Sequence, residues 1–125
     1  MKHKIELEYT FNTSCKVLFQ RLSTPGGLSE WFADDVKVSG NTYTFVWKGM
    51  EQKAELKYIR ENSVVKFIWI DSGTNTYYLE FRLKTDELTG DLALIITDFA
   101  EEDEKDDVID LWDTQLTKLK QILGL

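Results

Sequence analysis

Apolar and polar residues alternate at the start of the chain. Ile5, Leu7, Tyr9 and Phe11 are separated by Glu6, Glu8 and Thr10. A period of two marks a strand with one buried face. Asn12, Thr13 and Ser14 then offer side chains suited to cap a helix. Val17, Leu18, Phe19 and Leu22 follow with helical spacing. Ser23 to Gly27 reads as a break, because proline disfavours helix in its predecessor and glycine is permissive. A second short helix is expected over Leu28–Ala33, carrying Trp31 and Phe32 at its end.

From Val36 to Phe99 the period of two returns, punctuated by turn residues. Val36 and Val38 form one alternating set, and Tyr43, Phe45 and Trp47 the next, across a Ser39–Thr42 hairpin turn. Gly49 interrupts before Ala54, Leu56 and Tyr58. Glu61-Asn62 turns the chain into Val64–Ile70, and Ser72-Gly73-Thr74-Asn75 turns it into Tyr77–Lys84. Glu87 to Gly90 leads to Leu92–Phe99. Seven strands with short connections favour an antiparallel meander. The period then changes to that of a helix from Asp106 to Leu123. Ile109, Trp112, Leu116, Leu119 and Leu123 share one face, with Leu111 and Ile122 beside them. The pattern predicts an α+β fold: a curved seven-stranded antiparallel sheet, two short helices, and a long C-terminal helix over the concave face. No repeat or linker divides the chain, so residues 1–125 form one domain.

Composition narrows the class. A chain of 125 residues, 42% apolar and 30% charged, is long enough to bury a core. No apolar run approaches the length of a membrane span. Met1 to Lys4 leads straight into a strand with no apolar leader region, so no signal peptide is expected. A single cysteine, Cys15, excludes an internal disulfide and fits a cytoplasmic protein. The formal net charge of -7 argues against nucleic acid and against anionic membranes as partners. Nine acidic residues against one lysine fall between Asp98 and Asp113. They read as a solvated segment favouring a helix N-terminus, or as an acidic partner surface or metal site. Their spacing does not match a calcium loop.

Several segments together resemble a known group. Val17-Leu18-Phe19, Leu22-Ser23-Thr24-Pro25 and Trp31-Phe32-Ala33 are similar to an apolar helix that runs through a break to a closing Trp. Gln52–Leu56 and Val65–Trp69 resemble middle strands of the same group, and Trp112, Leu116 and Leu119 its closing helix. The group is the START-like superfamily, with the helix-grip fold of the birch-pollen allergen. The nearest branch is that of bacterial homologues of the heat-shock ATPase activator. Two positions depart from that branch: Thr97-Asp98-Phe99, where a polar residue and Gly-Phe are usual, and Leu111, where Gly is usual. The resemblance implies a pocket between sheet and helix. Members include lipid carriers, polyketide cyclases, hormone receptors and chaperone partners, and fold does not choose among them.

Candidate chemistry is sparse. His3 is the single histidine and lies next to the N-terminus, so no Ser-His-Asp or Cys-His constellation exists. Cys15 reads as a small half-buried residue, with a reactive thiol near a helix start as the sharper alternative. No zinc spacing and no phosphate-cradling glycine motif is present, so neither metal nor cofactor is expected. Asp98 is ambiguous. Leu92-Leu94-Ile96-Asp98 and Ala93-Ile95-Thr97-Phe99 are both plausible inward sets, and an inward Asp98 would be a buried carboxyl with a raised pKa.

Aromatic residues form the stronger signal. The expected cavity wall is Phe45, Trp47, Leu56, Phe67, Trp69, Tyr77, Leu79, Phe81, Trp112 and Leu116. Such walls suit an apolar or aromatic small molecule, which makes a small-molecule binding domain without catalysis the first functional reading. A protein-interaction module or a homodimer is the second. It draws on the acidic segment and on Val64, Ile68 and Ile70, which share an outer face with Lys66. A cyclase-like enzyme, guided by pocket shape, is the third.

Overall fold

The computed structural model describes residues 1–70 and 76–125. Seven strands run β1 (His3–Phe11), β2 (Asp35–Ser39), β3 (Thr42–Trp47), β4 (Met50–Arg60), β5 (Val64–Trp69), β6 (Tyr78–Thr85) and β7 (Leu92–Ala100). They form one antiparallel sheet in the order β1-β7-β6-β5-β4-β3-β2. Helices α1 (Cys15–Ser23) and α2 (Pro25–Trp31) connect its two edges, and α3 (Lys105–Ile122) closes the chain. The expected turn at Ser72 to Asn75 lies outside the described residues.

Register decides the faces. Ile5, Leu7, Tyr9 and Phe11 lie opposite Asp98, Ile96, Leu94 and Leu92. Phe81 and Leu83 lie opposite Ile96 and Leu94, Phe67 opposite Leu79, and Leu56 opposite Phe67. Apart from Ile5 and Asp98, these inward residues share one core with Trp112, Leu116 and Leu119 of α3 and with Leu18, Leu22, Leu28 and Trp31 of the short helices. The long helix is fixed at three further points. Tyr9 Oη donates to Asp113 Oδ1 at 2.8 Å, Gln115 Nε2 donates to the Phe32 carbonyl at 3.0 Å, and Lys120 lies 5.2 Å from the Phe11 ring centre.

Two local expectations need correction. Gly26 and Gly27 are not turn glycines, and α2 starts at Pro25 rather than Leu28. Thr24 alone makes the break, because its side chain caps the next helix by accepting from Gly27 N at 2.9 Å. Pro25 then sits in the first turn, where its missing N–H has no cost. Gly49 interrupts the alternation as expected: with Lys48 it forms the two-residue β3–β4 loop, both at positive φ (50° and 80°). A hairpin turn of that hand demands this at both positions. The proposed outer patch is not continuous. Val64 is 1% exposed and Ile68 half-buried, leaving Ile70 exposed. Val64 lies between Arg60 and Arg82, and the Lys66 ammonium lies 4.1 Å from the Tyr78 ring centre. Long polar side chains run over this face.

Candidate functional site

A cavity of about 430 Å³ lies between the sheet and α3. Its walls are Phe32, at the end of α2, Trp47 of β3, Trp69 of β5, Leu79 of β6, and Val108, Leu111 and Trp112 of α3. Gln52, Asp98, Phe99, Gln115 and Lys2 complete it. A wider cleft adjoins it through Lys2, Gln52 and Trp69, and continues to Tyr77 and Ile70.

Phe32 is the hub of this wall. Its ring is stacked with Trp112 (centres 5.6 Å apart, planes at 18°) and meets Phe45, Trp47 and Phe81 edge-on. Its carbonyl accepts from Trp47 Nε1 at 2.7 Å and from Gln115 Nε2 at 3.0 Å. Edge-to-face and offset pairs are the favoured arrangements of aromatic quadrupoles. The indole N–H groups of Trp47 and Trp112 are both taken up by protein acceptors, Phe32 O and Asp98 Oδ2, and the apolar ring faces make the wall.

Asp98 is the charged group set deepest in this wall. Its partner across β1 is Ile5, so it belongs to the inward set Leu92-Leu94-Ile96-Asp98. Trp112 Nε1 donates to Asp98 Oδ2 at 2.9 Å, and the Phe99 N–H donates to Oδ1 at 2.8 Å. Burial pushes its pKa above the ordinary carboxyl value; those two donors and the nearby Lys2 charge oppose the shift. A raised folded pKa favours the folded state most below the unfolded carboxyl's pKa, and that contribution is lost as pH rises through the folded value. Asp98→Asn removes it. The unfolding free energy of wild type minus that of Asp98→Asn should therefore decline as pH rises above the ordinary carboxyl value of about 4. Urea titrations at several pH values check this; a difference that grows with pH would contradict it.

The fold and cavity can be set beside known proteins. The description of the START-like superfamily domain matches residues 1–125. The chain belongs to the START-like superfamily. Among solved structures, this START-like domain is similar to BfR322 from Bacteroides fragilis, at 44% identity over 99% of this chain and 93% of that one, with a TM-score of 0.68. The Aha1 dimer from Colwellia psychrerythraea shares its fold at 21% identity, covering 94% and 93% of the two chains, with a TM-score of 0.77. DynU16, from the dynemicin biosynthetic locus, shares the fold at 12% identity and a TM-score of 0.80; the match covers 97% of this chain and 47% of that one. No curated protein matches the sequence.

The ten residues proposed from sequence as the wall separate into three groups in the START-like domain. Trp47, Trp69, Leu79 and Trp112 line the cavity, and Tyr77 lines the adjoining cleft. Phe45, Phe67, Phe81 and Leu116 are buried in the core beneath, and Leu56 is half-buried against it. Phe32, Gln52, Val108, Gln115 and Asp98 were absent from that set. Periodicity signals apolar faces, and two of these are amides; Val108 and Gln115 do share the Trp112 side of α3 by their spacing.

The acidic segment divides as well. Asp98 faces inward, whereas residues 102–107 are exposed and Glu101 pairs with the N-terminal ammonium at 3.1 Å. Among the described residues no group of acidic, histidine or cysteine side chains is arranged to hold a metal. Cys15 is half-buried, with its Sγ 3.8 Å from Thr85 Oγ1. No described helix is long and apolar enough to cross a membrane.

Proposed function

We propose that this domain binds a small apolar or aromatic molecule in the cavity between its sheet and α3. The observation that carries this reading is the wall itself: the rings of Phe32, Trp47, Trp69 and Trp112 converge with a few polar groups on one space of about 430 Å³. Mostly apolar cavities with a few placed polar groups are the usual form of small-molecule sites. The fold shared with DynU16 is compatible with it. Among the described residues of the cavity no pair of side chains forms a nucleophile and base, which favours binding over cyclase-like catalysis. A protein-partner reading is supported by Leu111, which is 58% exposed at the cavity rim beside the acidic start of α3, and by the dimeric Aha1 neighbour.

Titration with the neutral dye Nile red, followed by its fluorescence, tests the binding reading. Saturable binding is expected. Trp47→Ala should weaken it about two- to tenfold, the range for one aromatic contact. Native mass spectrometry should show a co-purified species beyond the bare chain. Unsaturable dye binding together with a bare mass would sink the proposal.

A further inference from the structure

Around the cavity the aromatic faces and the charges point the same way. A cation over a ring face is attracted by the ring quadrupole, most strongly for Trp. Here several indole and phenyl rings surround a space that also holds one carboxyl group, Asp98. Both Asp98 oxygens accept from N–H groups, an arrangement that supports the ionised form. A carboxylate has about four acceptor positions, so two donors leave it unsaturated. Among the described residues Asp98 makes no ion pair.

The chain already supplies a weak surrogate. Lys2 is the one cationic side chain among the described residues of this wall. Its ammonium lies 5.3 Å from the Tyr77 ring centre, near enough to Asp98 to lower its pKa, yet outside ion-pair distance. Its backbone N–H reaches Tyr77 Oη at 3.3 Å, so only the exposed side chain would need to move. The rim adds a field of the same sign, because the exposed segment 102–107, five acidic residues and Lys105, immediately precedes Val108 and Leu111. At -7 overall the protein repels anions and concentrates cations.

Building on the small-molecule reading, we infer that the ligand is an organic cation: a protonated amine or quaternary ammonium group set against the Asp98 carboxylate, with an apolar body between the Trp47, Trp69 and Trp112 indoles. The cation takes the place that Lys2 approaches only from the mouth. Gln52 completes the polar end. Its amide has no hydrogen-bond partner among the described residues and remains available to a ligand's polar substituent.

Three probes with one apolar body test this: phenylbutylamine, phenylbutanol and phenylbutyrate, titrated by calorimetry into the intact chain at neutral pH. The amine, protonated like a lysine, should bind about tenfold or more tightly than the alcohol, and the acid should bind least. In Asp98→Asn the amine should lose its advantage over the alcohol. Equal binding of amine and alcohol in wild type, or a preference for the acid, would overturn the cationic assignment while leaving the apolar cavity in use. No binding of any probe would overturn the small-molecule reading, and the cationic assignment with it. Should Asp98→Asn lose the alcohol too, the order of the three probes on wild type decides.

Discussion

Replacing Trp112 by alanine is expected to cost about 3–5 kcal/mol, the range for truncating a buried large aromatic. The side chain is 4% exposed and meets residues of α2, β6 and β7. Its ring stacks on Phe32, meets Phe81 at 82° and lies 6.4 Å from the Trp31 ring centre. Its Nε1 donates to Asp98, so truncation leaves a buried carboxylate without one of its two donors. That loss adds to the cavity term, since an abandoned buried acceptor costs about 1–3 kcal/mol. Against a typical domain stability of about 5–15 kcal/mol this is a large part of the total. Asp106→Asn and Asp107→Asn provide the comparison within the same helix. Both residues are exposed in its first turn, where a carboxylate contributes about 0.3–1 kcal/mol. Urea unfolding of the three variants reads the difference. A Trp112→Ala midpoint equal to wild type would mean that this stripe does not cover the core.

Gly27→Ala should be the second most damaging change, against the usual direction for a helix. Alanine in place of a helical glycine normally gains about 0.8–1.0 kcal/mol. Here an added Cβ would lie 2.3 Å from the Gln20 carbonyl oxygen and 2.7 Å from Arg21 Cα. Both are backbone atoms of α1, so no rotamer change relieves the contact. The two helices must separate, and the Trp31 Nε1 bond to the Arg21 carbonyl, 2.8 Å, spans that same contact. Overpacking typically costs about 1–3 kcal/mol, and a clash with fixed backbone belongs at the upper end or beyond. Gly26→Ala is the control. Nothing lies within 4 Å of its added Cβ, so it should be neutral or stabilising. Thermal unfolding should therefore move the two neighbouring glycine variants in opposite directions; a Gly27→Ala melting temperature at or above wild type would refute the close approach.

The same two residues mark where a sequence stops being informative. Pro25-Gly26-Gly27 is turn chemistry by composition. In the fold it opens a helix, because Thr24 caps that helix and Gly27 must pass close to the α1 backbone. Closeness between two segments is not written in either of them. The proposed wall has a similar history. Trp47, Trp69 and Trp112 lie on inward faces, but an inward face includes both the floor of the core and the lining of a space above it. Phe45 and Phe67 lie in that floor, and nothing in their spacing distinguishes them from the cavity residues.

What the sequence determined by itself is the set of elements and their faces. Seven alternating segments and one helical stripe dictate an antiparallel sheet with a helix on its apolar side, since each element has one apolar face to bury. Segment order and the short connections then leave little freedom in the strand order. Tertiary structure decided the rest. In β7 both alternating sets contain apolar residues, so only pairing with β1 could turn Asp98 inward, opposite Ile5. Only the docking of α3 placed the Trp112 indole N–H on that carboxylate and left the space beside it open. Periodicity records which side of a strand is apolar; whether a space remains between two apolar sides depends on how closely the elements approach, and that is a property of the assembled fold.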